Sequence, residues 1–218
     1  MIWLRTTGWL SALLVPAYLF SVYQAPVDAI QGVAQKILYV HVPCAFAAYL
    51  GFLLTAIFGA FYLATNKRHH DHLAAAAAEV GVLFCGLVIV SGPIWAKATW
   101  GHWWSWDLRL TLTLLLFLIY VAYLLLREFT GDSERAARFS AVYGIAGLFV
   151  IPINYFAIDL AGGRTMHPEN LKGDSLGSGM TLPFLLGVAT AFSVFFYLWA
   201  KRVSLRVAHA RLEARKRS

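Results

Sequence analysis

"LAAAAAEVGVLFCGLVIVSGPIW", residues 73–95, is apolar along almost its whole length and carries one charged residue, Glu79. A helix of about 20 residues crosses a bilayer core of about 30 Å, so this stretch is long enough to span a membrane. The apolar run is continuous, which argues against an alternating strand of a membrane barrel. Because only helices and closed barrels satisfy every backbone hydrogen bond in lipid, the stretch predicts a transmembrane helix.

Five further segments of this kind occur along the chain. Of the 218 residues, 60% are hydrophobic and 13% are charged, whereas a soluble domain carries about 25% charged residues. The pattern predicts an all-α polytopic membrane protein that forms one domain over residues 1–218. The first segment is interpreted as a retained helix, because no clear signal-peptide cleavage site follows it. The six predicted transmembrane helices cover residues 7–23, 38–63, 73–95, 108–126, 138–158 and 181–200.

The distribution of basic residues predicts the orientation of these helices. With six spans, thirteen of the eighteen Lys and Arg residues lie on the side that holds both termini, and seven of them are in the tail at 201–218. Because basic loops remain in the cytoplasm, both termini are expected to be cytoplasmic. A basic tail beside anionic lipid accounts for the net charge of +7, so no nucleic-acid partner is expected.

The external loops are longer and richer in aromatic residues than the internal ones. The loop at 24–37 spaces its apolar residues at helical intervals and predicts a short helix in the membrane interface. The loop at 159–180 is polar and rich in glycine, so we expect it to close over something.

The external segment 95–108 contains five tryptophans. An aromatic belt at the membrane boundary accounts for one or two of them. Five within so short a segment favour a platform for a large planar ligand.

Three histidines lie on the external side: His41, His102 and His167. Two of them in separate loops, on either side of the tryptophans, suit a planar iron macrocycle, which takes one imidazole on each face. Zinc fits less well, because it needs three or four protein ligands. The residues alone leave open which two histidines bind.

Charged residues near the tryptophans are few. Asp107 at the start of the fourth helix complements the helix dipole. Arg109 at the same end is disfavoured by that dipole, so it needs a partner, either Asp107 or an anionic group of the ligand. Arg164 and Lys97 are further external cations that could meet carboxylates.

Two motifs carry a family resemblance. "WGHWWSWDLRLT", residues 100–111, resembles the tryptophan-rich WWD signature of haem-handling proteins in cytochrome c biogenesis. "YVHVPCA", residues 39–45, is similar to the His-Val-Pro element of the cytochrome c maturation protein C (CcmC) family. The six-span layout favours this family over the larger WWD proteins, which have more spans.

The resemblance implies that haem b is bound through its iron by two axial histidines, His41 and His167. The match is close at His41, whereas His167 is assigned by its place in the last external loop. His102 stays open as a competing ligand or as a partner of a haem propionate. The other residues expected to contact haem are Trp100, Trp103, Trp104, Trp106, Asp107, Arg109 and Arg164.

The resemblance further implies a protein of the bacterial inner membrane that presents haem to a periplasmic haem chaperone (CcmE). Implied partners are the ABC transporter subunits CcmA and CcmB and a small single-span protein (CcmD). The alternatives are a haem permease subunit of an ABC-type haem exporter and a purely structural subunit of the maturation complex. The apolar centres of the segments favour presentation over a transport path. The chain has no ATPase or thiol-redox motif, so we do not expect an enzyme.

Overall fold

The computed structural model describes residues 2–131, 133–171 and 176–217. Over these residues the regular structure is helical, which confirms the predicted all-α class. Residues 172–175 of the predicted external loop, among them Lys172, lie outside the described residues. The helices are α1 (Ile2–Gln24), a 3₁₀ helix (Val33–Ile37), α2 (Leu38–Thr65), α3 (Arg68–Trp100), α4 (Leu108–Thr130), α5 (Glu134–Leu148), α6 (Val150–Tyr155), α7 (Ala157–Leu160) and α8 (Thr181–Arg217).

Within the described chain, five helical stretches are long and apolar enough to cross a membrane. They correspond to the second to sixth predicted segments. The first predicted segment, 7–23, is helical in α1 but is not one of the five, so the count of six spans stays a prediction. The five stretches are Val33–Thr65, Arg68–Trp100, Leu108–Thr130, Glu134–Tyr155 and Thr181–Glu213.

The centre of the bundle is the contact between α2 and α3, which is made by small residues. The five alanines Ala74–Ala78 are all buried. Gly51 faces Gly81 so closely that a Cβ on Gly51 would lie 2.6 Å from the Gly81 Cα. Small residues let two helix backbones approach each other closely. The helices α4, α5 and α8 pack around this pair, and α1 packs on α8.

The predicted segment 138–158 is divided into three helices instead of one. α5 ends at Leu148, and α6 contains Pro152. Proline has no backbone N–H, so it cannot donate to the carbonyl four residues before it, which here is that of Leu148. Hydropathy reports only that the segment is apolar, and it therefore missed this break.

The loop at 24–37, which is predicted to be external, is helical only at its end. Asp28 Oδ1 accepts hydrogen bonds from the backbone N–H groups of Ile30 at 2.8 Å and Gln31 at 2.7 Å. The same bonds, that from Gln31 foremost, lower the pKa of Asp28. Gly32 then adopts φ 60°, a conformation that favours glycine and interrupts a helix. Of the helix predicted in this loop only the 3₁₀ helix Val33–Ile37 forms, and its place in the membrane interface stays a prediction.

Ion pairs hold one end of the bundle together. The guanidinium of Arg127 on α4 binds the buried carboxylate of Asp71 on α3 through two hydrogen bonds of 2.6 and 2.9 Å. Glu79 on α3 pairs with Arg202 and Arg206 of α8. Ionisable groups inside a membrane bundle are tolerated when they pair in this way. Ser91, also on α3, lies about 30 Å from Asp71 toward the opposite end of the bundle.

Candidate functional site

A cavity of about 410 Å³ lies at that opposite end, between α2, α3, α4, α6 and the loop after α7. Its volume falls in the range of about 300–1,000 Å³ that is typical of small-molecule sites. Most of its lining is apolar or aromatic. Five residues predicted from the sequence to bind a ligand line this cavity together: His41, Trp100, Trp104, Arg109 and His167.

The tryptophan segment reaches the cavity because α3 extends farther than predicted. α3 ends at Trp100 and is capped by Gly101, whose φ of 82° is left-handed. The Lys97 ammonium donates to the Gly101 carbonyl at 2.7 Å, so Lys97 is part of this helix end. α4 begins after Asp107, which leaves residues 101–107 as the link between the two helices.

His41 lies in the first turn of α2 and is oriented by Ser91 of α3. The distance from His41 Nδ1 to Ser91 Oγ is 2.9 Å. The Ser91 hydroxyl donates its hydrogen to the Leu87 carbonyl at 2.7 Å, which leaves Oγ available to accept an Nδ1–H of His41. His41 Nε2 therefore keeps its lone pair, which is the form of imidazole that binds a metal.

The space for the His41 ring depends on a glycine. A Cβ on Gly92 would lie 3.2 Å from His41 Cε1, a contact that would press on the ring. On another side, Trp95 meets His41 edge to face with 5.9 Å between ring centroids. Trp95 is itself held by a 2.9 Å hydrogen bond from its indole N–H to Gln31 Oε1. These contacts restrict the ring to one orientation.

His167 also carries its hydrogen on Nδ1, but for a different reason. Its Nδ1 lies 2.7 Å from the Pro168 carbonyl oxygen, which can only accept, so Nδ1 carries the hydrogen. Burial, followed by the positive charge of Arg109, lowers the pKa of His167, although the Pro168 carbonyl and Asp107 act in the opposite direction. His167 is therefore a neutral imidazole at pH 7 with its lone pair on Nε2.

Asp107 supports the loop that carries His167. Its Oδ1 caps α4 by accepting the Leu110 N–H at 3.0 Å. Its Oδ2 accepts the hydroxyls of Ser105 at 3.1 Å and Thr165 at 3.0 Å. Thr165 Oγ1 in turn accepts the backbone N–H of His167 at 3.1 Å. Asp107 thus connects the tryptophan segment to the histidine loop instead of lining the cavity.

Arg109 faces the cavity and is not paired with Asp107 in the described part of the chain. Its Nη1 donates to the Tyr155 carbonyl at 3.1 Å and to Asn170 Oδ1 at 2.7 Å. Among the described residues, no acceptor binds its other guanidinium nitrogens. Glu169 also lines this region, so the rim of the cavity carries both signs of charge.

The four tryptophans of residues 100–106 divide into two pairs. Trp100 and Trp104 line the cavity. Trp103 and Trp106 lie outside it, with 59% and 77% of their surface exposed. Trp104 and Trp106 are in edge-to-face contact at 5.8 Å, so the exposed Trp106 adjoins the cavity lining.

Two other external residues lie away from the cavity lining. Arg164 is exposed and donates to the Ala161 carbonyl within its own turn at 3.4 Å. His102 Nε2 lies 3.2 Å from the sulfur of Met166. In His102 this contact involves Nε2, the same ring nitrogen that keeps a free lone pair in His41 and His167.

Sequence reasoning missed the residues that orient the two histidines. Ser91 and Gly92 belong to "SGP" near the outer end of a predicted span, where a polar residue and a glycine were a visible signal. Thr165 and Asn170 flank His167 in "TMHPEN", and their polarity was read only as loop character. Their partners lie 58 and 61 positions away, so no local pattern indicates them.

The described residues form an all-helical protein with helices long enough to cross a membrane and a cavity of small-molecule size at one end of the bundle. A family model described as heme exporter protein C matches residues 2–218. The chain belongs to the heme exporter protein C (CcmC) family.

Individual relatives agree with this family. The chain is 34% identical to the heme exporter protein C of Bradyrhizobium diazoefficiens, over 98% of this chain and 80% of the relative. It is 33% identical to a putative cytochrome c biosynthesis ccmC-like mitochondrial protein of Marchantia polymorpha, over 87% of this chain and 82% of the relative. It is 31% identical to the heme exporter protein C of Paracoccus denitrificans, over 88% of this chain and 81% of the relative.

Proposed function

We propose that this protein binds haem b in the cavity, with His41 and His167 as the two axial ligands of the iron. The observation that carries the proposal is the pair of cavity-lining imidazoles, each with Nδ1 hydrogen-bonded and Nε2 left with its lone pair. Bound haem would supply an iron centre, and the chain would supply its two nitrogen ligands. The names of the relatives, heme exporter protein C, agree with a haem ligand.

The rest of the lining suits the macrocycle. Trp100 and Trp104 offer flat apolar surfaces for it. Arg109 offers guanidinium donors that match the carboxylate of a propionate. Asp107 acts indirectly by holding the loop of His167 in place.

We propose that the cavity faces the periplasm and that the helices cross the bacterial inner membrane six times, with both termini in the cytoplasm. Most Lys and Arg residues belong to the end of the bundle opposite the cavity, as expected for a cytoplasmic face. In this orientation the tryptophan segment 95–108 and the loop 159–180 are external, and the tail 201–218 is cytoplasmic.

The exposed tryptophans support a role in presentation. Trp103 and Trp106 lie beside the cavity without lining it, and exposed aromatic side chains are common at protein interfaces. We assign this surface to the periplasmic haem chaperone (CcmE), which would receive haem from the cavity. The ABC transporter subunits CcmA and CcmB and the single-span CcmD are the other proposed partners, with ATP hydrolysis supplied by the transporter.

A haem permease subunit and a purely structural subunit are the alternatives. The cavity lining extends inward only to Tyr49, Cys85 and Leu116. Beyond that depth α3 is packed through the buried Ala74–Ala78. A site confined to one end of the bundle favours presentation over a continuous path. A structural subunit would bind no haem.

The test is the visible absorption spectrum of the purified full-length protein titrated with haemin. We expect a six-coordinate spectrum, loss of one ligand in His41→Gly and His167→Gly, and partial recovery when imidazole is added. His70→Gly, at the opposite end of the bundle, is the matched control and should match the unaltered protein. If His102→Gly loses a ligand while His167→Gly does not, the ligand assignment is wrong; absence of haem binding would favour a structural subunit.

A further inference from the structure

A second hollow, a groove of about 480 Å³, lies on the side of the bundle. α2 forms its floor, and α5 with α6 and α8 form its two walls. Leu148 and Ile151 lie on one wall and Val188 and Phe192 on the other. All of these helices belong to stretches of membrane-spanning length, so the groove faces the acyl chains of the bilayer.

The groove and the site cavity meet at two side chains. Phe46 and Tyr49 of α2 line both of them. Tyr49 lies two helical turns from His41, which places the meeting point about 12 Å deeper along α2 than the histidine. A partition of two aromatic side chains therefore separates the apolar groove from the site.

One hydrogen bond holds this partition in place. The Tyr49 hydroxyl donates to Asn154 Oδ1. Asn154 is completely buried, and its amide donates to the Arg109 carbonyl at 3.2 Å and to Thr113 Oγ1 at 2.9 Å. Asn154 is thus fixed to α4, whereas Tyr49 can rotate about its side-chain bonds if its single hydroxyl bond breaks.

We infer that haem enters the site sideways from the bilayer, through the groove and past Tyr49. This inference rests on the proposed haem function and adds the route by which the ligand arrives. Haem is apolar over its ring and anionic at its propionates. In the bilayer its ring lies among the acyl chains, whereas its propionates stay near the headgroups. The groove and the cavity match this distribution of haem in the bilayer. The groove is apolar like the ring, and Arg109, a partner for the propionates, lies at the outer end of the cavity.

The test uses the full-length protein in phospholipid vesicles. Haemin is supplied either from a second population of haemin-loaded vesicles or from haemin bound to albumin in the external solution. The rate at which the six-coordinate absorbance appears is measured for each source. Val188→Trp fills the groove from its wall without touching the cavity lining. Val142→Trp, an exposed position on α5 outside the groove, is the matched control.

We expect Val188→Trp to slow loading from vesicles about tenfold, which corresponds to a barrier higher by about 1.4 kcal/mol. Loading from albumin and the final absorbance should be unchanged. Tyr49→Phe should speed both loading from vesicles and loss of haem to apomyoglobin, because the partition loses its hydrogen bond to Asn154.

Several results would overturn the inference. Equal vesicle loading by Val188→Trp and Val142→Trp would exclude the groove as the route. Equal slowing from both haemin sources would locate the defect elsewhere. A phospholipid retained by the unaltered protein and lost from Val188→Trp, with unchanged loading, would make the groove a lipid site. If the unaltered protein takes haemin from neither source, the proposed function itself fails.

Discussion

Replacing Ser91 by alanine tests whether the tautomer of His41 determines haem affinity. The 2.9 Å bond to Ser91 Oγ holds the hydrogen on Nδ1, because the serine hydrogen is donated to the Leu87 carbonyl. Without this acceptor, the buried Nδ1–H is unpaired at a cost of about 1–3 kcal/mol. In the free variant the hydrogen can avoid this cost by moving to Nε2, so haem binding has to return it to the unpaired Nδ1.

The effect on affinity follows from this cost. Since about 1.4 kcal/mol is a factor of ten in a dissociation constant, Ser91→Ala should weaken haemin binding by about 10- to 100-fold. Substitution of residues that orient metal-bound histidines in other proteins costs about the same. Because Gly92 and Trp95 still confine the His41 ring, we expect the lower value, about tenfold.

The assay is a haemin titration of the purified protein, with the reduction potential of bound haem as a second measurement. Ser91→Thr keeps the hydroxyl and should restore most of the affinity. Ser204→Ala is the control, because Ser204 makes the same kind of bond to the carbonyl four residues earlier without a histidine. If Ser91→Ala binds haemin as tightly as Ser204→Ala and with the same potential, the tautomer argument is wrong.

Three further sets of substitutions test other parts of the site. Arg109→Leu should weaken haemin binding more than Arg109→Lys, since lysine keeps a cation but not the planar fork; an equal loss with haemin dimethyl ester would argue against a propionate contact. Trp104→Ala, in the cavity lining, should lower bound haem, whereas exposed Trp103→Ala should leave haem bound and lower its transfer to the chaperone. Bound haem and the haem transferred to the chaperone are measured in the same membranes. A proportional fall of both quantities in each variant would leave the role in presentation without support. Gly92→Ala should lower the six-coordinate fraction, because its Cβ would lie 3.2 Å from Cε1 of His41, the proposed ligand on α2, and press on the ring. Gly86→Ala, whose Cβ would meet its nearest neighbour at an ordinary 3.6 Å, should not.

Hydropathy located the second to sixth predicted segments, but it did not locate the ends of the helices that contain them. The segment predicted at 73–95 is part of α3, which begins at Arg68 and ends at Trp100. The segment predicted at 181–200 is part of α8, which continues to Arg217. Apolar length reports the thickness of the lipid core, whereas a helix continues for as long as its backbone bonds and polar side chains allow. The Glu213–Lys216 pair, for example, supports α8 within the basic tail.

The sequence alone determined the all-helical class, because only helices and closed barrels satisfy the backbone in lipid and the continuous apolar runs lack the alternation of a barrel strand. It also determined which residues belong to the end with the tryptophans, since helix number and direction assign each loop to one end. Those patterns are local: they involve residues of one helix or one loop, so the sequence contains them directly.

The tertiary structure alone decided which side chains meet. It brought His41 against Ser91, 50 positions away, and so determined the nitrogen that stays available. It gave Asp107 and Arg109, two positions apart, different roles, with the carboxylate binding Thr165 and the guanidinium facing the cavity. Asp107 is the extended cap residue before α4 whereas Arg109 lies in its first turn, so their side chains point in different directions. Contacts between distant segments depend on how the helices pack.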